Sequence, residues 1–258
     1  MSYLDKKDIV EAFKKCGIQQ GSVLMLHSDA IFLAQTRHMP KEDRYALLFE
    51  ALNEVLGPEG TLIIPTFTYS ATKGELFTVE ETPSTVGELT EYFRKLPDVQ
   101  RSRDPIFSVA VRGKKVEKFA NAEVGDTFGE DSIFGLLDRH DAWIACLACS
   151  FDRITYTHYV EQKAGVDYRY FKNFTYEIVK KNEKERNTVR YFVRDLKRES
   201  TIKLDLLKAR LEKIDKLYQS EMGKFLLSCV QSKIFRDEAK RLLMKKNNAL
   251  ILEGSSLN

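Results

Sequence analysis

Long apolar runs are absent from this chain of 258 residues. Nothing approaches the roughly 18–20 uninterrupted apolar residues of a membrane helix. The amino-terminal "MSYLDKKDIVEAFKKCG" has no apolar heart of the secretory kind and reads as an amphipathic helix, which predicts a cytoplasmic protein. Cysteine is scarce: Cys16, Cys146, Cys149 and Cys229 give no disulfide framework. "CLAC" has CxxC spacing, but it lies inside an apolar run. A redox pair wants an exposed turn before a helix, and a zinc site wants a second ligand pair. Both are missing, so the four read as buried core cysteines and no metal is expected. There is no GxxxxGK[ST], which excludes a P-loop ATPase, and no GxGxxG dinucleotide fingerprint. There is no GxSxG elbow, no HExxH, and no RNP, zinc-finger or recognition-helix pattern. No nucleic acid partner is therefore expected.

What is present is an ordinary globular composition, 43% hydrophobic and 31% charged, with ample length for one large core. Charge is unevenly spread. Up to Gly165 there are 19 basic and 25 acidic residues; from Val166 onward there are 22 and 13. The basic end suits solvated helix faces, or phosphates and anionic substrates.

The first 165 residues alternate strand and helix. Asp5 to Lys15 presents Ile9, Val10 and Phe13 on one helical face. The strand "SVLMLHSD" follows, then a helix from Lys41 to Leu56 with Tyr45, Leu48, Leu52 and Val55 inward. "TLIIPTF" is a second strand. "TPSTVGELTEYFRKLP" predicts a helix capped by Ser84 or Thr85. "SVAVRG" is a third strand, "EKFANAE" and "SIFGLLDRHD" are short helices, and "AWIACLACS" is a fourth strand. Such alternation predicts an α/β layered fold with a parallel or mixed sheet. Residues 166–258 read as a basic strand pair, "FTYEIVKKNEKERNTVRYFVRDL", and two amphipathic helices, "DLLKARLEKIDKLYQ" and "SKIFRDEAKRLLMKK". With no long linker or repeat, this part is expected to pack on residues 1–165 as one domain, 1–258. The closing "LEGSSLN" reads as a frayed end.

Ligands of α/β folds gather at strand carboxyl ends, and three polar clusters fall there: "HSD", "PTFTYS" and "THYVE". In the last, His158 and Glu161 are three apart, on one helical face. A carboxylate there fixes the imidazole tautomer and supports a general base. Taken alone, the pair is a weak signal and reads first as a histidine at a helix start with a solvated glutamate. His27, ending the first strand, reads either as a satisfied strand-end histidine or as part of a turn, Ser28–Asp29–Ala30, offering backbone N–H groups to an oxyanion or cofactor.

Taken together and in order, "GSVLMLHSDA", "GPEGTLIIPTFT", "TPSTVGELTEYFRKLPDVQRSRDPIFSVAVRG", "FGEDSIFGLL" and "TYTHYVEQKAGVDYR" resemble the aminoglycoside N3-acetyltransferase family, with a weaker echo at "YFVRDL". The likeness covers roughly Gly21 to Arg169. It implies an α/β/α sandwich around a central mixed sheet, distinct from the GNAT fold, and acetyl transfer from acetyl-CoA to the amine of an amino sugar. It makes His158 the base and Glu161 its orienting partner, with Thr155 or Thr157 near the reacting carbonyl. It places His27, Ser28, Asp29, Ala30, Thr66, Ser102 and Ser108 on the cofactor side. It places Thr68, Tyr69, Arg101 and Asp104 on the acceptor side. Departures stand at Asp29, where the family has serine, at Asp104, where it has histidine, and at Ile154, where asparagine is common. From the basic tail, a nucleotide-linked amino sugar of glycan biosynthesis is the favoured acceptor. An aminoglycoside is the alternative, and a non-catalytic CoA- or sugar-binding homologue or a hydrolase are further ones. The oligomeric state is left as monomer or homodimer.

Overall fold

A computed structural model describes residues 3–252; most of the closing "LEGSSLN" lies outside the described residues. In chain order the elements are α1 (Lys6–Lys15), β1 (Val23–Ser28), α2 (Lys41–Leu56), β2 (Thr61–Pro65), α3 (Ser70–Lys73), β3 (Phe77–Thr78) and α4 (Glu88–Arg94). Then come β4 (Gln100–Arg101), β5 (Val109–Gly113), α5 (Val116–Ala120), α6 (Ile133–Arg139), β6 (Trp143–Leu147) and α7 (Thr157–Ala164). The chain closes with β7 (Arg169–Lys180), β8 (Glu183–Arg194), α8 (Asp205–Lys213), β9 (Tyr218–Met222), β10 (Phe225–Gln231) and α9 (Ser232–Lys245).

Seven strands form a mixed central sheet in the order β4-β5-β2-β1-β6-β10-β9. β1 lies parallel to both β2 and β6; the outer pairings are antiparallel. Strands buried on both faces carry apolar residues at every position, and β1 and β2 do so over most of their length. Alternate residues feed two separate cores. Val23, Met25, Ile63, Val109 and Ile144 point into one; Leu24, Leu26, Leu62, Ile64 and Ala145 point into the other. Helices α1, α2 and α4 cover the second face, while α6, α7 and α9 contribute to the first. A second, three-stranded sheet, β3-β7-β8, is dominated by the 12-residue hairpin arms β7 and β8.

The structure differs from the sequence reading in three places. Helix α4 begins later, with Gly87 as its cap. Ser84 instead bonds Thr90 through its hydroxyl, and its N–H donates to Glu91. The segment read as one helix from Asp205 stops at Lys213, and Asp215 turns left-handed at φ 53°. The chain then forms β9 and β10, which the periodicity did not suggest, and β10 sits beside β6 inside the central sheet. Thirdly, Cys149 is only partly buried, whereas Cys16, Cys146 and Cys229 are buried; all four are free thiols.

Candidate active site

Helix α7 positions His158 and Glu161. It starts just beyond the carboxyl end of β6, after a turn of 3-10 helix at Phe151–Arg153. The spacing of three brings His158 Nδ1 to 2.6 Å from Glu161 Oε2. Glu161 is fully buried and held on every side. Tyr168 donates its hydroxyl to Oε1 at 2.9 Å, and Arg169 Nε forms an ion pair with Oε2 at 2.7 Å. Burial alone pushes a carboxyl up. Here the Arg169 charge, with His158 and Tyr168, outweighs it and holds Glu161 below the ordinary carboxylate range. An ionised Glu161 requires Nδ1 to carry the imidazole proton. Nε2 is then the unprotonated nitrogen, and 18% of the His158 side chain remains open. Burial, reinforced by the Arg169 charge, depresses the His158 pKa against the opposing pull of Glu161. The ring is therefore neutral near pH 7, the state a general base needs.

His27 is buried. Its Nε2 accepts the Thr155 N–H at 3.4 Å, which ties the end of β1 to the residues just ahead of α7. Burial lowers its pKa to about 4, against a weaker pull from the Ala145 backbone. The imidazole is thus a tether, and the open part of this strand end is Ser28, Asp29 and Ala30. Asp29 spends Oδ1 on the Ile31 N–H at 2.9 Å, capping the following turn. Thr155 is half-buried at the surface, but Thr157 is fully buried with its hydroxyl shut away from solvent, so of the two only Thr155 reaches the surface.

Six further residues expected on the ligand sides, Thr66, Thr68, Arg101, Ser102, Asp104 and Ser108, are buried and bonded internally. Arg101 is buried; it donates to Thr66 O at 2.6 Å, Ser108 Oγ at 3.2 Å and the carbonyls of Val79 and Thr82. Ser108 Oγ donates to Thr66 O at 2.7 Å, and Thr66 Oγ1 to Ser108 O at 3.1 Å. Ser102 Oγ accepts the Val109 N–H at 2.9 Å, and Thr68 Oγ1 donates to Pro105 O at 2.9 Å. Asp104 Oδ1 accepts the N–H groups of Ile106 and Phe107, both at 2.8 Å, and burial raises its pKa to about 6. Each spends its polar atoms on neighbouring loop segments, because several of them meet there and their amides and carbonyls need partners.

Tyr69 is different. It is half-buried, and its backbone is left-handed at φ 58°, an uncommon state for a bulky residue. Its ring packs on Phe107 at 5.4 Å, and Phe107 packs on Phe128 at 5.3 Å and on Tyr191 at 5.4 Å. Phe128 reaches the His158 ring at 5.6 Å. An aromatic wall therefore runs from the loop after β2 to the base. Tyr168, Arg169, Phe128 and Tyr191 were not singled out by sequence reasoning. The signal for the first two was the "YR" that ends the histidine motif, seven and eight residues after Glu161.

The sequence model of the family described as aminoglycoside 3-N-acetyltransferase matches residues 7–243. Aminoglycoside N(3)-acetyltransferase IV of Salmonella is 30% identical over 166 residues, 63% of this chain and 60% of that protein. The SPbeta prophage-derived aminoglycoside N(3')-acetyltransferase-like protein YokD of Bacillus subtilis is 25% identical over 61% of this chain and 65% of its own length. The aligned stretches thus span less than two thirds of these curated relatives. In structure, YokD of Bacillus subtilis superposes with a TM-score of 0.79 at 18% identity, over 96% of each chain. The acetyltransferase AAC(3)-IVa gives 0.78 at 23% identity, over 96% of this chain and 91% of that one. These likenesses show a shared fold. With a family match running nearly end to end, the chain belongs to the aminoglycoside 3-N-acetyltransferase family.

Proposed function

We propose that this protein is an acetyl-CoA-dependent N-acetyltransferase that acts on an amine of an amino sugar of the aminoglycoside type. The observation that carries the reading is the locked dyad: Glu161 held ionised by Arg169 and Tyr168, and His158 held neutral with Nε2 open. An alkylammonium must lose a proton before it attacks a thioester. His158 Nε2 takes that proton, and Glu161, with its 2.6 Å contact to Nδ1, stabilises the imidazolium that results. Acetyl-CoA supplies the activated acetyl group. The residues that would hold it are at the open strand end, Ser28, Asp29 and Ala30, with Arg153 nearby, exposed and without an ion pair among the described residues.

Two considerations favour an aminoglycoside-type acceptor over a nucleotide-linked sugar. A related enzyme, AAC(3)-IVa, is known in complex with a gentamicin. The basic carboxyl-terminal region, which suggested phosphate binding, also uses several of its cations internally. Arg169, Arg190, Arg210, Arg236 and Arg241 pair with carboxylates. Among the described residues no helix is long and apolar enough to cross a membrane.

The test is release of free CoA from acetyl-CoA in the presence of a panel of aminoglycosides and nucleotide amino sugars. Aminoglycoside-dependent release is expected, and His158→Ala should lower kcat by about 100-fold or more, the usual contribution of a general base. Release without any amine would indicate a hydrolase. No release with any amine would indicate a non-catalytic homologue.

A further inference from the structure

A buried phenol usually finds a hydrogen-bond partner, because leaving the hydroxyl unpaired is costly. Tyr168 bonds Glu161, and Tyr156 bonds Asp138 at 2.6 Å. The phenols of Tyr69, Tyr159, Tyr176 and Tyr191 break this pattern, and of these Tyr69 and Tyr191 are the ones that pack on Phe107. Both are half-buried, and neither hydroxyl bonds any other described residue. They come from distant parts of the chain, the loop after β2 and the far half of β8. Both pack on Phe107, at 5.4 Å each. Tyr191 also packs on Phe128 at 5.8 Å, the ring that touches His158. The left-handed backbone of Tyr69 is a local strain that the fold maintains, and such strain collects at functional positions.

Nearby carboxylates offer little to an incoming ammonium. Glu161 is committed to Arg169, Asp104 to two backbone amides, and Asp126 to Arg190 and Gln162. Phe107 and Phe128 are buried, so the open part of this aromatic cluster is the half-buried Tyr69 and Tyr191, with two unspent phenols. Small-ligand sites have this makeup: apolar and aromatic lining with a few polar groups that fix orientation.

We propose that Tyr191 and Tyr69 form the seat that presents the amine-bearing ring of the acceptor to His158, as a specificity-determining pair. The rings cover the apolar face of the sugar, and the hydroxyls bond its polar edge. This rests on the acetyltransferase reading and adds how the acceptor is held.

The test combines steady-state kinetics with calorimetric titration of gentamicin, which needs no turnover. Tyr191→Phe keeps the ring and removes only the hydroxyl. It should raise the KM for the acceptor and the Kd for gentamicin about fivefold to tenfold, the worth of one neutral hydrogen bond. The KM for acetyl-CoA, the melting temperature and the acid limb of the pH profile should stay unchanged. Tyr69→Phe should behave alike, and Tyr191→Ala should lose more than Tyr191→Phe. Unchanged acceptor KM and Kd in Tyr191→Phe, or a rise confined to acetyl-CoA, would overturn the proposal. Binding without turnover in the unaltered protein, still weakened by Tyr191→Phe, would remove the enzymatic reading and keep the seat. Neither binding nor turnover with any aminoglycoside would overturn both.

Discussion

At the scale of single residues, the dyad is built so that its two members differ in what they hold up. His158 keeps 18% of its side chain open, and on the proposed mechanism its loss removes a base. Glu161 is inside, and its charge balances Arg169, whose side chain is only 4% exposed. Glu161→Gln leaves that guanidinium buried without a counter-charge, which typically costs about 3–5 kcal/mol. Chemical denaturation should therefore show Glu161→Gln far less stable than His158→Ala, although both lose activity; equal stability would mean that Arg169 is satisfied by other groups. His27 makes a pH prediction. Its folded pKa of about 4 lies below the ordinary 6.5, so the folded state binds fewer protons than the unfolded chain between those values. The stability it confers is complete above about pH 6.5 and drains away as pH falls toward 4, by at most about 3 kcal/mol. Asp104, raised to about 6, has the opposite sign, so the comparison must be with a His27→Gln variant. That variant should show a shallower fall in melting temperature over the interval. In activity, the depressed pKa of His158 places the acid limb of its kcat/KM profile below the usual imidazole value, wherever the acceptor's own ionisation does not mask it. His158 and Glu161 were legible as a pair in the sequence. Their orientation was not, because Arg169 and Tyr168 become visible as partners only once β7 folds back beside α7.

At the scale of elements, hydrophobic period and punctuation revealed most strands and helices, because each buries a face of the expected spacing. They failed at "KLYQSEMGKFLLSCV". Leu207 and Leu211 set a helical spacing that the sequence pattern carries on through Leu217, and the break falls at Asp215, a non-glycine in a left-handed state. The two-residue turn Gly223-Lys224 was the available hairpin signal. The arginine-serine motif, a cluster rich in polar chemistry, bonds neighbouring loops to one another. Glycine at 135 shows how such packing reaches the site. A Cβ there would lie 1.9 Å from the Glu130 carbonyl oxygen, so α6 could not sit against the loop that carries Phe128. Gly135→Ala should lower the melting temperature by several degrees. It should also raise the acceptor KM, because Phe128 backs the His158 ring. A drop in stability with unchanged KM would uncouple loop from site.

At the scale of the whole molecule, the carboxyl-terminal third is part of the sheet as well as a cover for it. β10 pairs with β6 over five register positions, and Leu227, Cys229 and Val230 are fully buried. A chain ending before Tyr218 would expose an edge on β6 and open both cores. It should therefore give no cooperative unfolding transition by circular dichroism, whereas an independently stable amino-terminal unit would melt as one step. The division at residue 165 that charge suggested marks a change in composition; the central sheet crosses it.

The long hairpin has one more consequence. Its base is fixed where Arg169 meets Glu161 and is paired in register with Arg194, while its tip turns through Lys181 and Asn182, both left-handed and exposed. Twelve residues of strand span about 40 Å. The tip is thus the place to attach a dye or a surface-tethering tag without touching the chemistry. One arm begins at the dyad and the other carries Tyr191, and near the tip β3 pairs with Ile178 and Val179, so a reporter there stays tied to the body of the protein.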